Sequence, residues 1–320
     1  LAENSKIEWT DHSFSPWIGC TRVSPACDHC YAADMAKRYG WAKWGHGEIR
    51  RFAATSTWKQ TLAWNRKAQR DGVRRRVFCS HLSDVFDAEV DDEWRVVLTE
   101  RIHETSWLDW LLLTKRPKVA AQFFDDVGIP SNVWMGTTVE NQAMADLRIP
   151  ILLSIPAKVR FLSCEPLLGP VDLSRCGIHY TGSGPLHLWR TDLEGNGGWR
   201  KQFCEPAPEI HWVITGGESG PKARPSHPDW FRSLRDQCAA AGVPFFFKQN
   251  GEHVPVYDRD RDDPDWRRCN EIERNTPRGQ WLNLAGGQGF HGDRVVRMDQ
   301  LGKAKAGALL DGREHREFHR

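Results

Sequence analysis

Trp110-Leu111-Leu112-Leu113-Thr114-Lys115-Arg116 opens on four apolar residues without alternation and closes on three polar ones. A short continuous apolar run of this kind suits a strand buried on both faces, as the strands of parallel sheets are. The pattern recurs at Val77-Phe78-Cys79 before Ser80-His81, at Val133-Trp134-Met135 before Gly136-Thr137-Thr138, and at Val159-Arg160-Phe161-Leu162-Ser163 before Cys164-Glu165. It recurs again at Trp212-Val213-Ile214 before Thr215-Gly216-Gly217-Glu218, and at Pro244-Phe245-Phe246-Phe247 before Lys248-Gln249. Segments with helical periodicity at 91–106, 118–126, 141–153 and 229–241 separate the runs. Counting 14–18 as a first strand, seven strands alternate with helices. The expected fold is α/β, a complete or partial (β/α) barrel of parallel strands, with an open doubly wound sheet as the alternative.

Punctuation supports two of the helices. Tyr31 to Tyr39 reads as a helix stopped at Gly40, and in the 229–241 segment Ser226 can cap, Pro228 suits the first turn and Gly242 ends it. Two segments fall outside the alternation. Residues 175–210, with Gly182-Ser183-Gly184-Pro185 and Glu194-Gly195-Asn196-Gly197-Gly198, read as an irregular insertion that could act as a lid. From Gly251 the chain is polar, carries Gly286-Gly287-Gln288-Gly289, and offers one short helix at 303–310. The expected organisation is a barrel-like catalytic domain over 1–250 and a small C-terminal extension over 251–320.

The 320 residues are 40% hydrophobic and 27% charged, the balance of an ordinary globular protein. No apolar run approaches the roughly 20 residues that span a bilayer, so a membrane protein is not expected. The first residues, Leu1-Ala2-Glu3-Asn4-Ser5-Lys6, lack the basic start and apolar core of a secretion signal. A cytoplasmic, reducing compartment is expected, with the nine cysteines as thiols. A net charge of +2 gives no global drive toward nucleic acid, but 66–76 is locally basic and Trp41, Trp44, Trp58 and Trp64 lie beside it. Cations interleaved with aromatic rings suit phosphates and stacked bases, while a solvated helix end and buried rings are the plain alternative.

The densest chemistry lies in 16–32, where Cys20, Cys27 and Cys30 share one short loop. Three soft thiolates can hold three corners of a four-iron cluster, or three of the four positions on zinc. A histidine such as His12 or His29 would complete the zinc site, which would then be structural. The polar strand ends form a second set, because loops at the carboxyl ends of parallel β/α strands converge on one opening. They include His81, Asp84, Lys115, Arg116, Thr138, Glu140, Glu165, Glu218 and Lys248. Gly216-Gly217-Glu218 stands out: two glycines let backbone approach a ligand closely, and a carboxylate beside them can hold an ammonium or a ribose diol. Cys79 and Cys164 also stand at strand ends, as reactive thiols or as small core residues.

The spacing Cys20-x6-Cys27-x2-Cys30 before a β/α series resembles the radical S-adenosylmethionine superfamily. The whole chain is similar to a phage and prophage protein family of unknown function associated with it. That similarity runs through Ile7-Glu8-Trp9-Thr10, the cysteine loop, Leu113-Thr114-Lys115-Arg116-Pro117, Ser163-Cys164-Glu165-Pro166-Leu167-Leu168, Gly216-Gly217-Glu218-Ser219-Gly220 and Asp311-Gly312-Arg313. What the resemblance implies is a [4Fe-4S] cluster on Cys20, Cys27 and Cys30, whose open iron binds S-adenosylmethionine for reductive cleavage to methionine and a 5′-deoxyadenosyl radical. Tyr31 and His29, flanking the third cysteine, and Gly216, Gly217 and Glu218 are then candidate cofactor contacts. Cys79, Cys164, Glu165 and Lys115 are candidate catalytic groups. The resemblance further implies a reducing protein partner such as a flavodoxin or ferredoxin, and a nucleic acid or nucleotide substrate, modified or repaired. The competing expectation is a non-catalytic, zinc-stapled protein that binds nucleic acid or another protein.

Overall fold

The computed structural model describes residues 2–176, 178–179, 187–188 and 209–319. Its main sheet has eight strands: β1 (Ala2–Glu3), β2 (His12–Phe14), β3 (Arg75–Cys79), β4 (Leu108–Thr114), β5 (Val133–Thr138), β6 (Val159–Cys164), β7 (Trp212–Thr215) and β8 (Phe245–Phe247). Their hydrogen-bonded order follows the sequence without a reversal, and β1 alone is antiparallel to its neighbour. A doubly wound sheet reverses its order at a switch point; this one does not. The fold is a partial (β/α) barrel. Six helices accompany the strands: α1 (Tyr31–Tyr39), α2 (Thr55–Asp71), α3 (Asp92–Glu104), α4 (Pro117–Val127), α5 (Gln142–Ser154) and α6 (Pro228–Ala241).

The chain divides into two compact units, one of 1–138 with 148–162 and the other of 139–147 with 163–320. In the first, β2 to β5 pair in register, with Phe14 opposite Cys79, Cys79 opposite Leu112, and Leu112 opposite Met135. Phe14 is fully buried, edge-on to Trp58 at 5.1 Å and to Trp110 at 5.6 Å, so the strand-end apolar residues and α2 share one core. β5 runs three residues past its apolar start because Gly136 is packing, not punctuation: a Cβ there would lie 2.3 Å from the Phe161 ring.

The second unit pairs β7 with β8 in parallel and packs Phe231 of α6 on Phe247 at 4.9 Å. The edge of β8 is covered by the chain's own end: Phe247 N–H donates to His315 O, and Glu317 N–H donates to Phe245 O. An open row of backbone groups on an edge strand is thereby paired within the chain. Between these, β9 (His253–Asp258), β10 (Gln280–Leu282) and β11 (Val296–Gln300) form an antiparallel sheet in the order β9-β11-β10.

Three local expectations are corrected. The first strand is not one piece over 14–18: His12–Phe14 joins the main sheet, whereas Trp17–Ile18 pairs antiparallel with Arg51–Phe52. Ser226 does not cap α6, because its hydroxyl donates to Leu167 O; His227 caps it, with Nδ1 accepting from Asp229 N–H at 3.1 Å. The short helix expected over 303–310 is confined to Lys303–Ala306. The expected insertion over 175–210 lies almost wholly outside the described residues. No helix among the described residues is long and apolar enough to cross a membrane.

Candidate functional site

The cysteine loop leaves the main sheet directly after β2 and is tied down at its start. Gly19, at φ 115°, donates its N–H to Leu82 O, and Gly45 N–H donates to Cys20 O. Ser24 then opens a single 3₁₀ turn, Pro25–Cys27, and Cys30 is the N-cap of α1. The positive end of a helix favours negative charge close to it. Cys20, Cys27 and Cys30 are all free thiols and all half-buried.

Beneath Cys20 lies a buried charge network. Arg116 places Nη1 2.9 Å from Asp84 Oδ2 and 3.7 Å from Cys20 Sγ, while Nη2 donates to Thr21 O at 2.6 Å and lies 3.5 Å from Asp87 Oδ1. Arg50 donates to Asp87 Oδ2 through Nε at 2.9 Å and to Thr21 Oγ1 through Nη2 at 2.5 Å. Asp84 accepts further from Thr114 Oγ1 and from the Lys115 and Phe86 amides. Burial, with Asp84 adding like charge, pushes the Cys20 thiol up to about 12, opposed by Arg116. For Arg116, burial acts to lower the pKa, but Asp84, Cys20 and Asp87 together carry it above its ordinary value. Arg116 stays a cation.

The other residues of this unit take the following places. His81 Nδ1 is 3.0 Å from Ser15 Oγ, and burial pushes the imidazole down to about 4. Tyr31, exposed, donates its hydroxyl to His81 O at 2.8 Å. His29 is half-buried on the loop. Lys115 is anchored through its amide, and no partner for its ammonium occurs among the described residues. Cys79 is wholly buried, which raises its thiol pKa, and lies in the core beside Phe14. His12 is stacked on Trp64 at 4.4 Å and is almost completely buried, so its ring is committed to packing.

The second unit holds a separate group of strand-end side chains. Lys248 Nζ, just past β8, lies 2.7 Å from Glu165 Oε1, just past β6, and Gln249 Nε2 stands 3.4 Å from the same oxygen. Glu218, almost wholly buried, is gripped by Arg224 through N–H at 2.8 Å, Nε at 2.9 Å and Nη2 at 2.5 Å. The space beside Gly217 is filled by the backbone of Asn250, which a Cβ would meet at 2.2 Å. Gly216 has Gln249 O and Glu165 Cδ at 3.4 Å from its Cβ direction. Cys164 is wholly buried.

A model of a family of proteins of unknown function, DUF5131, matches residues 4–319. The chain belongs to the DUF5131 family. No curated protein and no solved structure matches it. In this DUF5131 chain, no three His, Cys, Asp or Glu side chains among the described residues are drawn together as a metal-binding group. Cys20, Cys27 and Cys30 are three free thiols on one loop that the structure does not gather into a ligand set.

Several partners in these networks carry no signal in the sequence. Arg50 and Arg224 lie in loops with no periodicity around them, and Asp87 is distinguishable only as the second carboxylate of Asp84-Val85-Phe86-Asp87. The basic stretch 66–76 is largely spent: Arg74 pairs with Asp109, Arg75 with Asp71 and Arg76 with Asp11. Trp58 and Trp64 are buried core residues and offer no stacking face. Exposed aromatic surface lies instead on α1 and after it, where Tyr39, 55% exposed, stacks on Trp41 at 4.9 Å and 21°.

Proposed function

We propose that this protein is a radical S-adenosylmethionine enzyme in which Cys20, Cys27 and Cys30 hold a [4Fe-4S] cluster. The observation that supports it best is the set of three free, half-buried thiols on one loop, the first backed by the buried cation Arg116. A cluster held by Cys20, Cys27 and Cys30 would supply the electron for reductive cleavage of S-adenosylmethionine. The chain's own work is to hold the ligands and exclude water. Arg50 and Arg116 clamp Thr21 from its side chain and its carbonyl, fixing the residue after the first ligand. Lys115 is the uncommitted cation after β4, suited to an anionic substrate or cofactor group. In the second unit, the Glu165–Lys248 ion pair is a separate candidate acid–base pair. Against a zinc staple closed by His12 stands that ring's stacking on Trp64.

The test is anaerobic reconstitution followed by reduction with dithionite in the presence of S-adenosylmethionine. Brown protein with iron and sulfide, forming 5′-deoxyadenosine and methionine, is expected. A colourless protein that takes zinc and produces neither would end this reading.

The substrate class we infer is nucleic acid. Tyr39 and Trp41 offer an aromatic surface on and after the helix that begins at Cys30, with Arg38 5.7 Å from the Tyr39 ring centre and Lys37 and Lys43 exposed nearby in sequence. Rings with cations around them stack bases and neutralise phosphates. Labelled single-stranded oligonucleotide is expected to bind with salt-dependent affinity. Changing Lys37, Arg38 and Lys43 together to Ala should lower the slope of log K against log salt by about 2, since each lost single-strand phosphate contact removes about 0.7. Association that ignores salt, or a slope unmoved by the triple substitution, would redirect the search to a small metabolite. A small reducing protein such as a flavodoxin or ferredoxin is the proposed electron donor.

A further inference from the structure

At the amino ends of β2 and β3, the end of the sheet opposite to the cysteine loop, the first unit holds a cavity of about 270 Å³ whose lining includes Asp11, His12, Trp64, Lys67 and Arg75. His12 starts β2 and Arg75 starts β3, while Trp64 and Lys67 belong to α2. Two polar atoms of the lining residues are orphaned: His12 Nδ1 and Trp64 Nε1 are buried and have no hydrogen-bond partner among the described residues. The two residues are only 5% and 2% exposed and their rings stack at 4.4 Å, so neither nitrogen can turn to open water without breaking the stack. Leaving a buried donor unpaired is costly, and an indole nitrogen can only donate. The cavity is the space from which an acceptor can reach them.

Charge around the cavity selects the acceptor. Lys67 is bound to Glu3 at 3.0 Å, and Asp11 is bound to the amide and Nε of Arg76, so these charges are balanced in pairs. Arg75 is not balanced in the same way: its ion pair with Asp71 is 3.8 Å long, beyond hydrogen-bond reach, and its guanidinium makes no hydrogen bond among the described residues. A planar fork with free N–H groups matches the paired oxygens of a carboxylate or a phosphate. Burial holds the His12 imidazole below its ordinary pKa, opposed by Asp11 and Glu3 and aided by Arg75 and Lys67, so the ring brings hydrogen-bonding capacity without a charge. We propose that this cavity binds a small molecule through an oxyanion, a carboxylate or a phosphate, with the Arg75 fork on its oxygens and Trp64 Nε1 and His12 Nδ1 supplying further donors from the wall. No residue of the cysteine loop takes part. In β/α barrels the chemistry lies at the carboxyl ends of the strands, so a ligand at the amino ends acts on the stability of the unit and not as a substrate.

Calorimetric titration of the full chain with inorganic phosphate and, separately, with acetate tests this, at an ionic strength held constant with sodium chloride. Saturable binding of at least one anion is expected, and the tighter of the two identifies the head group. Arg75 is 36% exposed, so Arg75→Gln should leave the fold intact, and it should weaken binding about tenfold or more because a charge-assisted hydrogen bond is lost. His12→Phe keeps a ring on Trp64 and removes the orphaned nitrogen. It should melt no lower than the wild type without anion, yet bind the anion more weakly. If that variant does not fold, wild type labelled with ¹⁵N-tryptophan carries the same point, since one indole N–H resonance should move on saturation. Failure of both anions to saturate, an affinity that Arg75→Gln leaves unchanged, or indole resonances that stay in place would overturn the proposal and leave the cavity to water.

Discussion

Cys27→Ala is expected to retain only background iron and sulfide after anaerobic reconstitution, against about four of each per chain in the wild type. Cys27 closes the 3₁₀ turn in the middle of the loop, so its loss leaves only Cys20 and Cys30, ten positions apart, without the third ligand between them. Cys20→Ala and Cys30→Ala should behave alike, because a cluster on two protein thiolates has two open irons and is readily lost. The control is Cys269→Ala, in the separate core of Tyr257, Trp281 and Val295, where the change should cost about 1 kcal/mol of stability and no iron. Iron that survives in Cys27→Ala, or vanishes in Cys269→Ala, would separate metal uptake from the loop and leave the thiols without a role.

The alternation of apolar runs with helix-length segments was legible because burial on both faces forces each strand to be apolar throughout. That is why Val77-Phe78-Cys79 and Trp110-Leu111-Leu112-Leu113 mark strands that pair directly, and why their order in the sheet follows their order in the sequence. Boundaries set by tertiary contact were not legible. Gly136 looks like the end of a strand until Phe161 is seen lying against it, and His227 takes the capping place of Ser226 because that serine is used by Leu167. The antiparallel sheet of β9 to β11 is short and polar, so its strands give neither a continuous apolar run nor a sustained alternation.

The site was legible to the same depth. Cysteines declare themselves by type and spacing, and polar residues at strand ends by position. The residues that fix them do not: Arg50 reaches across 37 positions to Asp87, and Lys248 across 83 to Glu165. Such pairs are made by the fold and leave no local trace. The aromatic and basic stretch misled for a related reason. Tryptophans at helical spacing on α2 turn Trp58 and Trp64 inward, and arginines at a strand start meet the carboxylates of neighbouring loops and strands. Composition is shared by a nucleic-acid face and a packed helix; only burial separates them.

Gly217→Ala should lose roughly 2–3 kcal/mol of stability, the upper part of the range for overpacking. The added methyl would sit 2.2 Å from Asn250 O, 2.6 Å from Asn250 C and 2.9 Å from Gly251 N, all backbone atoms that no rotamer change can move. Nor can the backbone yield freely. Gly217 N–H donates to Gln249 O, Gln249 Nε2 donates to Gly217 O, Glu252 N–H donates to Glu218 O, and Gly251 N–H donates to Gln249 Oε1. Gly251 sits at φ 81° with its own Cβ direction 2.4 Å from Glu218 O, so the two strand-end segments interlock on both sides. Gly216→Ala is the contrast. Its methyl would stand 3.4 Å from Gln249 O and Glu165, an ordinary contact, and a stability change below about 1 kcal/mol is expected. Thermal melts of cluster-free protein read both, at about 2–4 °C per kcal/mol. A Gly217→Ala variant as stable as the wild type would mean that these segments are not locked together. If Gly216→Ala, still stable, weakens S-adenosylmethionine binding to the reconstituted protein, the first glycine serves the cofactor and the second serves the fold. If its affinity is unchanged, both glycines are packing residues, and Glu218 in the grip of Arg224 is a structural ion pair rather than a cofactor contact.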